Sequence, residues 1–324
     1  FVHQTRMPAA RLVLGHRDAA WAVTGWRSCG TWGSGRTMIH KAAIWACVSA
    51  AMLAPALARA QAPCTAPEGI KLVTPGTILA ATNPTSAPLQ YVDEQGKIVG
   101  MDMELGQAIA AKLCLKVQYA STEFATMIPG LKGGRYDMID TFMYYTPERA
   151  EQVHMIPYGA ATLAIVVPTG ATGGETLADF SGKKFGAQLG STDYVNAAAA
   201  SKALVDAGKP AIDLRTFPNY ADLLQALSAG QLDGVFLSTD GAFYYKSKGI
   251  GFFRIAASGL FPHAETIAFA DPALADKAAV ALDAMKADGS YGRILGAYHH
   301  CELPGPFKVT TGPLPNPSCP PFNG

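Results

Sequence analysis

Charge is scarce in this chain of 324 residues, and neither sign dominates: 26 Lys and Arg stand against 25 Asp and Glu, for a formal net charge of +1. That balance speaks against a nucleic-acid partner, because neutralising phosphates needs a basic face. Common hydrolase motifs are missing too. The chain holds no Gly-x-Ser-x-Gly turn and no His-Glu-x-x-His pair, which weakens a serine-hydrolase or zincin reading. No Cys-x-x-Cys pair occurs, so the usual spacing of a structural zinc site is lacking. His299-His300-Cys301 offers ligand types, but adjacent residues rarely point at one ion. A solvated turn is expected there, with no metal or other cofactor.

What the chain does hold is apolar: 49% of residues are hydrophobic, enough for two domains of ordinary size. The first 37 residues show no periodic pattern. Their run Gly30-Thr31-Trp32-Gly33-Ser34-Gly35-Arg36-Thr37 looks like a phosphate loop, but Arg36 stands where Lys is required and no apolar strand leads in. From Met38 the pattern changes. A short basic start at Lys41, an apolar run over 42–57 and the small-x-small end Ala58-Arg59-Ala60 are the three parts of a secretory signal peptide. Segment 1–37 is expected to lie upstream of the natural start, and 38–60 to be removed by cleavage after Ala60. A lipoprotein site at Cys47 fits less well, with bulky Trp45 before it.

Four of the six cysteines follow that cleavage point: Cys64, Cys114, Cys301 and Cys319. An even number in an exported chain favours disulfides. Four cysteines allow three pairings. Cys64 and Cys114 precede adjacent strands at one end of the expected sheet, so Cys64 with Cys114 and Cys301 with Cys319 is the expected set.

Strand and helix patterns alternate twice. In the first round, strand patterns at 71–73, 77–80, 115–119 and 136–141 surround helices at 103–113 and 126–132. Leu105, Ile109 and Leu113 recur on one helical face. Residues 90–92 and 97–99 flank an Asp/Gly turn and form a hairpin. An extended run at 163–167 leads to a loop over 168–174. The second round has strands at 184–188, 213–217 and 233–237 and helices at 195–207 and 220–228. A strand at 266–269, helices at 272–288 and 291–298 and a proline-rich tail close the chain. The rhythm predicts two α/β lobes, each a mainly parallel sheet flanked by helices. Ligands of such sheets bind beyond the strands' carboxyl ends.

Several segments resemble the bacterial extracellular solute-binding proteins of family 3, the amino-acid-binding components of ABC importers. They are Gly96 to Leu105, Phe124 to Leu131, Thr146-Pro147-Glu148-Arg149, Gly186 to Thr192 and Ala287-Asp288-Gly289-Ser290-Tyr291. They lie collinear over roughly residues 68–299. The resemblance implies a type II periplasmic-binding-protein fold, with 61–167 as the first part of lobe one, 168–265 as lobe two, and 266–324 as the return to lobe one plus a tail. It implies a periplasmic monomer that hands an amino acid or related small carboxylate to a permease in the inner membrane.

The same resemblance implies roles for single residues. Arg149 would grip the ligand's α-carboxylate, with a fork of donors that matches a carboxylate. Ser191 and Thr192, at a helix start, would add amides and hydroxyls. Phe124 would pack on the ligand side chain. Departures from the pattern are equally informative. Ser86 replaces a stacking ring, and Phe142 and Tyr144 replace small residues. Ser238 stands where an Asp would meet the ligand's ammonium. Either Asp240, two residues later, takes that role, or the ligand carries no ordinary ammonium. Other functions on this scaffold are an enzyme similar to cyclohexadienyl dehydratases, with Glu148, Asp240 or Glu265 as the acid, and a partner of a periplasmic redox enzyme or sensor.

Overall fold

The computed structural model describes residues 64–319; the proposed upstream segment and signal peptide lie outside them. The described chain starts in a parallel unit. Strand β1 (Thr77–Thr82) leads into a small antiparallel sheet of β2 (Thr85–Ser86), β3 (Gln90–Val92) and β4 (Ile98–Val99), the expected hairpin with one extra strand. Helix α1 (Met101–Lys112) follows at once. Its entry needs Gly100: φ is +129°, and a Cβ there would lie 2.3 Å from the Leu89 carbonyl oxygen. Met101, Leu105, Ile109 and Ala110 bury one face. Burying each large apolar side chain stabilises the fold by about 1.5–3 kcal/mol. Strand β5 (Lys116–Ser121), helix α2 (Met127–Lys132) and strand β6 (Met138–Ile139) complete this unit, and β1 pairs in parallel with both β5 and β6.

After the short helix α3 (Pro147–Ala150) comes the long strand β7 (His154–Pro168). A strand of 15 residues spans roughly 50 Å, long enough to serve two units. The second unit has strand β8 (Lys184–Gln188), helix α4 (Thr192–Asp206), strand β9 (Asp213–Phe217), helix α5 (Tyr220–Ser228), strand β10 (Gly234–Ser238) and helix α6 (Thr239–Ser247). Here β8 pairs in parallel with β9 and β10. Phe185 packs edge-on against Phe180 and Phe236, at centroid distances of 4.7 and 5.0 Å.

The second long strand, β11 (Phe253–Phe269), runs back antiparallel to β7. The early part of β7 meets the late part of β11, which borders β6; the late part of β7 borders β10. The whole sheet reads β5-β1-β6-β11-β7-β10-β8-β9. Helices α7 (Pro272–Ala287) and α8 (Ser290–Ala297) and strand β12 (Cys301–Glu302) return along the first unit, and β12 pairs with β7. Disulfides join Cys64 to Cys114 and Cys301 to Cys319.

Sequence and structure differ at a few places. Residues 71–73 lie outside the strands, and β7 and β11 are much longer than the apolar runs at 163–167 and 266–269. Helix α6 has no counterpart in the sequence reading. Its apolar positions do not repeat at helical spacing, and it is set by its cap: Ser238 Oγ accepts from the Gly241 N–H at 3.0 Å. Among the described residues, no helix is long and apolar enough to cross a membrane.

Candidate ligand site

Arg149 stands where the two units meet. Thr146 caps α3 by accepting from the Arg149 N–H at 3.2 Å, with Pro147 in the first turn. The half-buried guanidinium donates to the carbonyl of Tyr144 at 2.7 Å and to the carbonyl of Gly190 at 3.0 Å. Its carbon lies 5.3 Å from the centre of the Phe124 ring. One side chain thus links the first unit to the turn that opens α4. Burial lowers the Arg149 pKa to about 10 against the opposing pull of Asp193, so it stays cationic at neutral pH.

The turn after β8 is shaped for close approach. Gly190 has φ +78°, and a Cβ there would come within 3.3 Å of Ala125 Cβ. Ser191 caps α4: its hydroxyl accepts from the Tyr194 N–H at 3.3 Å and donates to the Gln188 carbonyl at 2.7 Å. Thr192 is the first residue of α4 and half-buried. The buried Asp193 follows, in the electrostatic field of Arg149, and accepts from the Tyr220 hydroxyl at 2.7 Å. Burial raises Asp193 to about 6; Tyr220 and Arg149 limit the rise. Further contacts close the same seam. Gln188 donates to Asn83 Oδ1 at 3.4 Å, and the Tyr220 N–H to Thr85 Oγ1 at 3.2 Å.

An aromatic wall lines the first unit's side. Phe142 and Tyr144 meet edge-on at 4.9 Å, and the Tyr144 ring lies 5.0 Å from the His263 ring. Burial, with help from Arg149, lowers the His263 pKa and keeps that ring neutral. Phe142 and Tyr144 are 5% and 3% exposed, yet the Tyr144 hydroxyl has no hydrogen-bond partner. A buried polar group left so is unusual.

The other sequence-selected residues are engaged in other contacts, and Glu265 bridges to Tyr144 through the backbone. Ser86 pairs with Gln90 in the small sheet. Ser238 is occupied as the α6 cap. Asp240 Oδ2 lies 2.9 Å from His300 Nδ1, and Glu265 Oε2 lies 3.0 Å from His300 Nε2. The expected solvated turn at His299-His300-Cys301 is therefore wrong for His300, whose side chain is fully buried. Its burial opposes charge, but Glu265 and Asp240 outweigh this and hold its pKa up at about 10. Asp102 and Asp140 complete this buried acidic group. Asp102 accepts from the Tyr158 hydroxyl at 3.0 Å, and Asp140 from the Tyr119 hydroxyl at 2.8 Å.

The sequence reading passed over Asp193, Tyr220 and His263, and took His300 for part of a solvated turn. Only Asp193 left a usable signal, an acid in the first turn directly after the selected pair Ser191-Thr192.

Two parallel α/β units joined by crossing strands, with a cation at their seam, define a two-lobed binding protein of the periplasmic type. The chain belongs to the bacterial extracellular solute-binding proteins, family 3, whose family model matches residues 78–300. It is 27% identical over 216 residues to the ABC transporter arginine-binding protein 1 of Escherichia coli (strain K12), covering 65% of this chain and 85% of that protein. It is 28% identical over 233 residues to the L-arginine-binding protein of Pseudomonas aeruginosa, covering 67% and 86%. It superposes on an ancestral arginine-binding protein bound to arginine with TM-score 0.62 and 33% identity, over 69% of this chain and 98% of that one.

Proposed function

We propose that this protein captures an amino acid or a closely related small carboxylate between its two lobes and delivers it, as a monomer in the periplasm, to an ABC permease in the inner membrane. Lobe one comprises 61–167 with the return from 266, and lobe two 168–265. The observation that carries the reading is Arg149, which donates to Tyr144 on one side and Gly190 on the other. A ligand carboxylate placed at this fork would replace those carbonyls and gain the free amides at the start of α4. Ser191 and Thr192 would supply that start, and Phe124, Phe142 and Tyr144 the apolar walls. The contacts come from both lobes, so ligand binding favours the closed state. Relatives named as amino-acid-binding components of ABC transporters support the same role.

Binding rather than catalysis fits the acids of the site. Asp240 and Glu265 hold His300, and Glu148 is exposed. Export fits the signal-like segment at 38–60 and the two disulfides, which persist in oxidising compartments. Thermal-shift measurements on ligand-free protein test the function. Amino acids or related carboxylates should raise the melting temperature, and Arg149→Ala should abolish the rise. A panel without effect on the wild type, or an unchanged response in Arg149→Ala, would overturn it.

A further inference from the structure

The ribbon of β7 and β11 runs through both units, so the angle between them is set where it changes over from one to the other. Residues 154–159 of β7 pair with 265–269 of β11 in the first unit, and 163–168 pair with 253–260 in the second. In between, register shifts break the ladder on both sides of Leu260 and again after Glu265. Gly259 has φ +73° and Phe261 φ +48°, a left-handed backbone that a bulky side chain keeps only where its surroundings impose it. A ladder broken in this way is less stiff than a regular one and leaves the angle to contacts from outside the ribbon.

Two such contacts flank the changeover. On the second unit's side, the first turn of α6 docks through Thr239. Its hydroxyl lies 2.7 Å from Thr162 Oγ1 on β7 and accepts from the Gly259 N–H at 3.4 Å. On the first unit's side, β12 holds the chain after His300 on β7, with Cys301 opposite Ala160. Gly159 gives the His300 ring its place, since a Cβ there would lie 2.8 Å from Nε2. The two sides then meet: Asp240, next to Thr239, is hydrogen-bonded through Oδ2 to His300 Nδ1 at 2.9 Å. Nε2 lies 3.0 Å from Glu265 Oε2, but that pair is not aligned for a hydrogen bond, so the attraction there is between charges. The ring's directional contact is therefore the one to Asp240. Water reaches it from that side, because the Asp240 side chain is 11% exposed and that of Glu265 0%.

We propose that the bond between His300 and Asp240 is a brace across the changeover of the ribbon, which favours the closed arrangement of the two units through protein groups alone. Rotation of the second unit about the changeover carries Asp240, on α6, away from a ring that β12 keeps in place. Opening then breaks one charge-assisted hydrogen bond and leaves His300 beside Glu265, so no buried charge loses its only partner. The brace acts at Asp240 and His300 rather than at Arg149, and it sets how much of the closing free energy a ligand must supply.

Amide hydrogen exchange on the full chain, read residue by residue without ligand, tests the brace. The Tyr220 N–H, which donates to Thr85 Oγ1 across the seam, reports opening, and the buried Ile78 and Val235 amides of β1 and β10 report unfolding. In the wild type Tyr220 should exchange well ahead of Ile78 and Val235. Asp240→Ala should speed Tyr220 by about tenfold, the loss of one hydrogen bond to a charged group. If Asp240→Ala speeds Ile78 and Val235 but leaves Tyr220 unchanged, the bond serves stability alone and the proposal is overturned. It is equally overturned if no rate changes, or if Tyr220 is as slow as the other two in the wild type, since the seam then opens only on unfolding. Should Asp240→Ala fail to fold, Asp240→Asn keeps an acceptor for His300 without the charge. It should speed Tyr220 by a smaller factor, and an unchanged rate rejects the brace. No arm uses a ligand, so failure of every carboxylate to bind would reject the capture reading and leave the brace standing.

Discussion

His300 and Asp240, 60 residues apart in the chain, meet at 2.9 Å and join the segment after α8 to the first turn of α6. Glu265 holds the other ring nitrogen at 3.0 Å. The contact ties the returning chain after α8 to α6. The imidazole titrates near 6.5 when unfolded and is held at about 10 in the fold. Its stabilisation is therefore complete below about pH 6.5 and disappears as pH rises toward 10.

Removing this imidazole leaves two buried acids without their cation. His300→Ala is expected to cost about 3–5 kcal/mol. Asp140, raised to about 8 chiefly by burial, also makes the fold less stable with rising pH, but only up to that value. Between pH 8 and 10 the ring adds to the fall that other raised groups, Asp102 among them, also cause, and comparison with a His300 variant separates its share. Urea denaturation should show wild-type stability falling there and a flatter profile for His300→Gln. Parallel profiles would show that the ring is neutral in the folded protein.

Tyr144→Phe should separate stability from binding. The hydroxyl is buried without a hydrogen-bond partner, so its removal relieves a desolvation penalty of about 1–3 kcal/mol. The variant should melt at or above the wild-type temperature when empty, yet bind amino acids about tenfold more weakly. Loss of stability in the empty protein would mean that the hydroxyl is satisfied, and that the site is not short of a polar partner.

The parts of this fold readable in the sequence are those with a strong local period. Strands β8 and β9 and helix α5 fall on the residues their patterns select; β8 is an apolar run buried on both faces, and α5 buries Tyr220, Leu223, Ala226 and Leu227 on one face. The crossing ribbon was hidden for a physical reason. Residues 254–263 of β11 are half-buried or exposed, pair with β7 through several register shifts, and so show no alternation. Arg149 was legible because its cap, Thr146-Pro147, and its motif are local. The His300 pair was not, since its partners lie 35 or more residues away and nothing in His299-His300-Cys301 speaks of burial. Ser238 was legible as a departure, but its new task as a helix cap needed the α6 backbone.

The disulfides should matter unequally. Cys64–Cys114 spans a sequence separation of 50 residues and Cys301–Cys319 one of 18. Chain entropy then gives the longer loop about 4 kcal/mol and the shorter about 3 kcal/mol. Replacing both cysteines of a pair by Ser should lower the melting temperature, more for Cys64 and Cys114. Ligand affinity should change little, because neither bridge touches Arg149 or Asp193. Equal melting of both double variants and the wild type would reject the estimate.

Binding should depend on pH in the direction set by Asp193. Three groups from other elements act on its carboxyl: Arg149 from α3, Tyr220 from α5 and Tyr144 from the segment after β6. Burial raises it to about 6. A ligand carboxylate taken by Arg149 offsets the cation that limits this rise, so the bound pKa is higher and binding takes up a proton above pH 6. Affinity for leucine should then hold below about pH 6 and fall toward tenfold per unit as pH rises above it. The opposite sign belongs to a ligand whose cationic group lies nearer Asp193 than its carboxylate does. Its positive charge would lower that pKa, release a proton, and make affinity fall as pH drops below 6. Asp193→Asn should flatten both profiles. Calorimetry in two buffers of different ionisation enthalpy reads the proton count and its sign directly, and proton release with leucine would place its carboxylate farther from Asp193 than its ammonium.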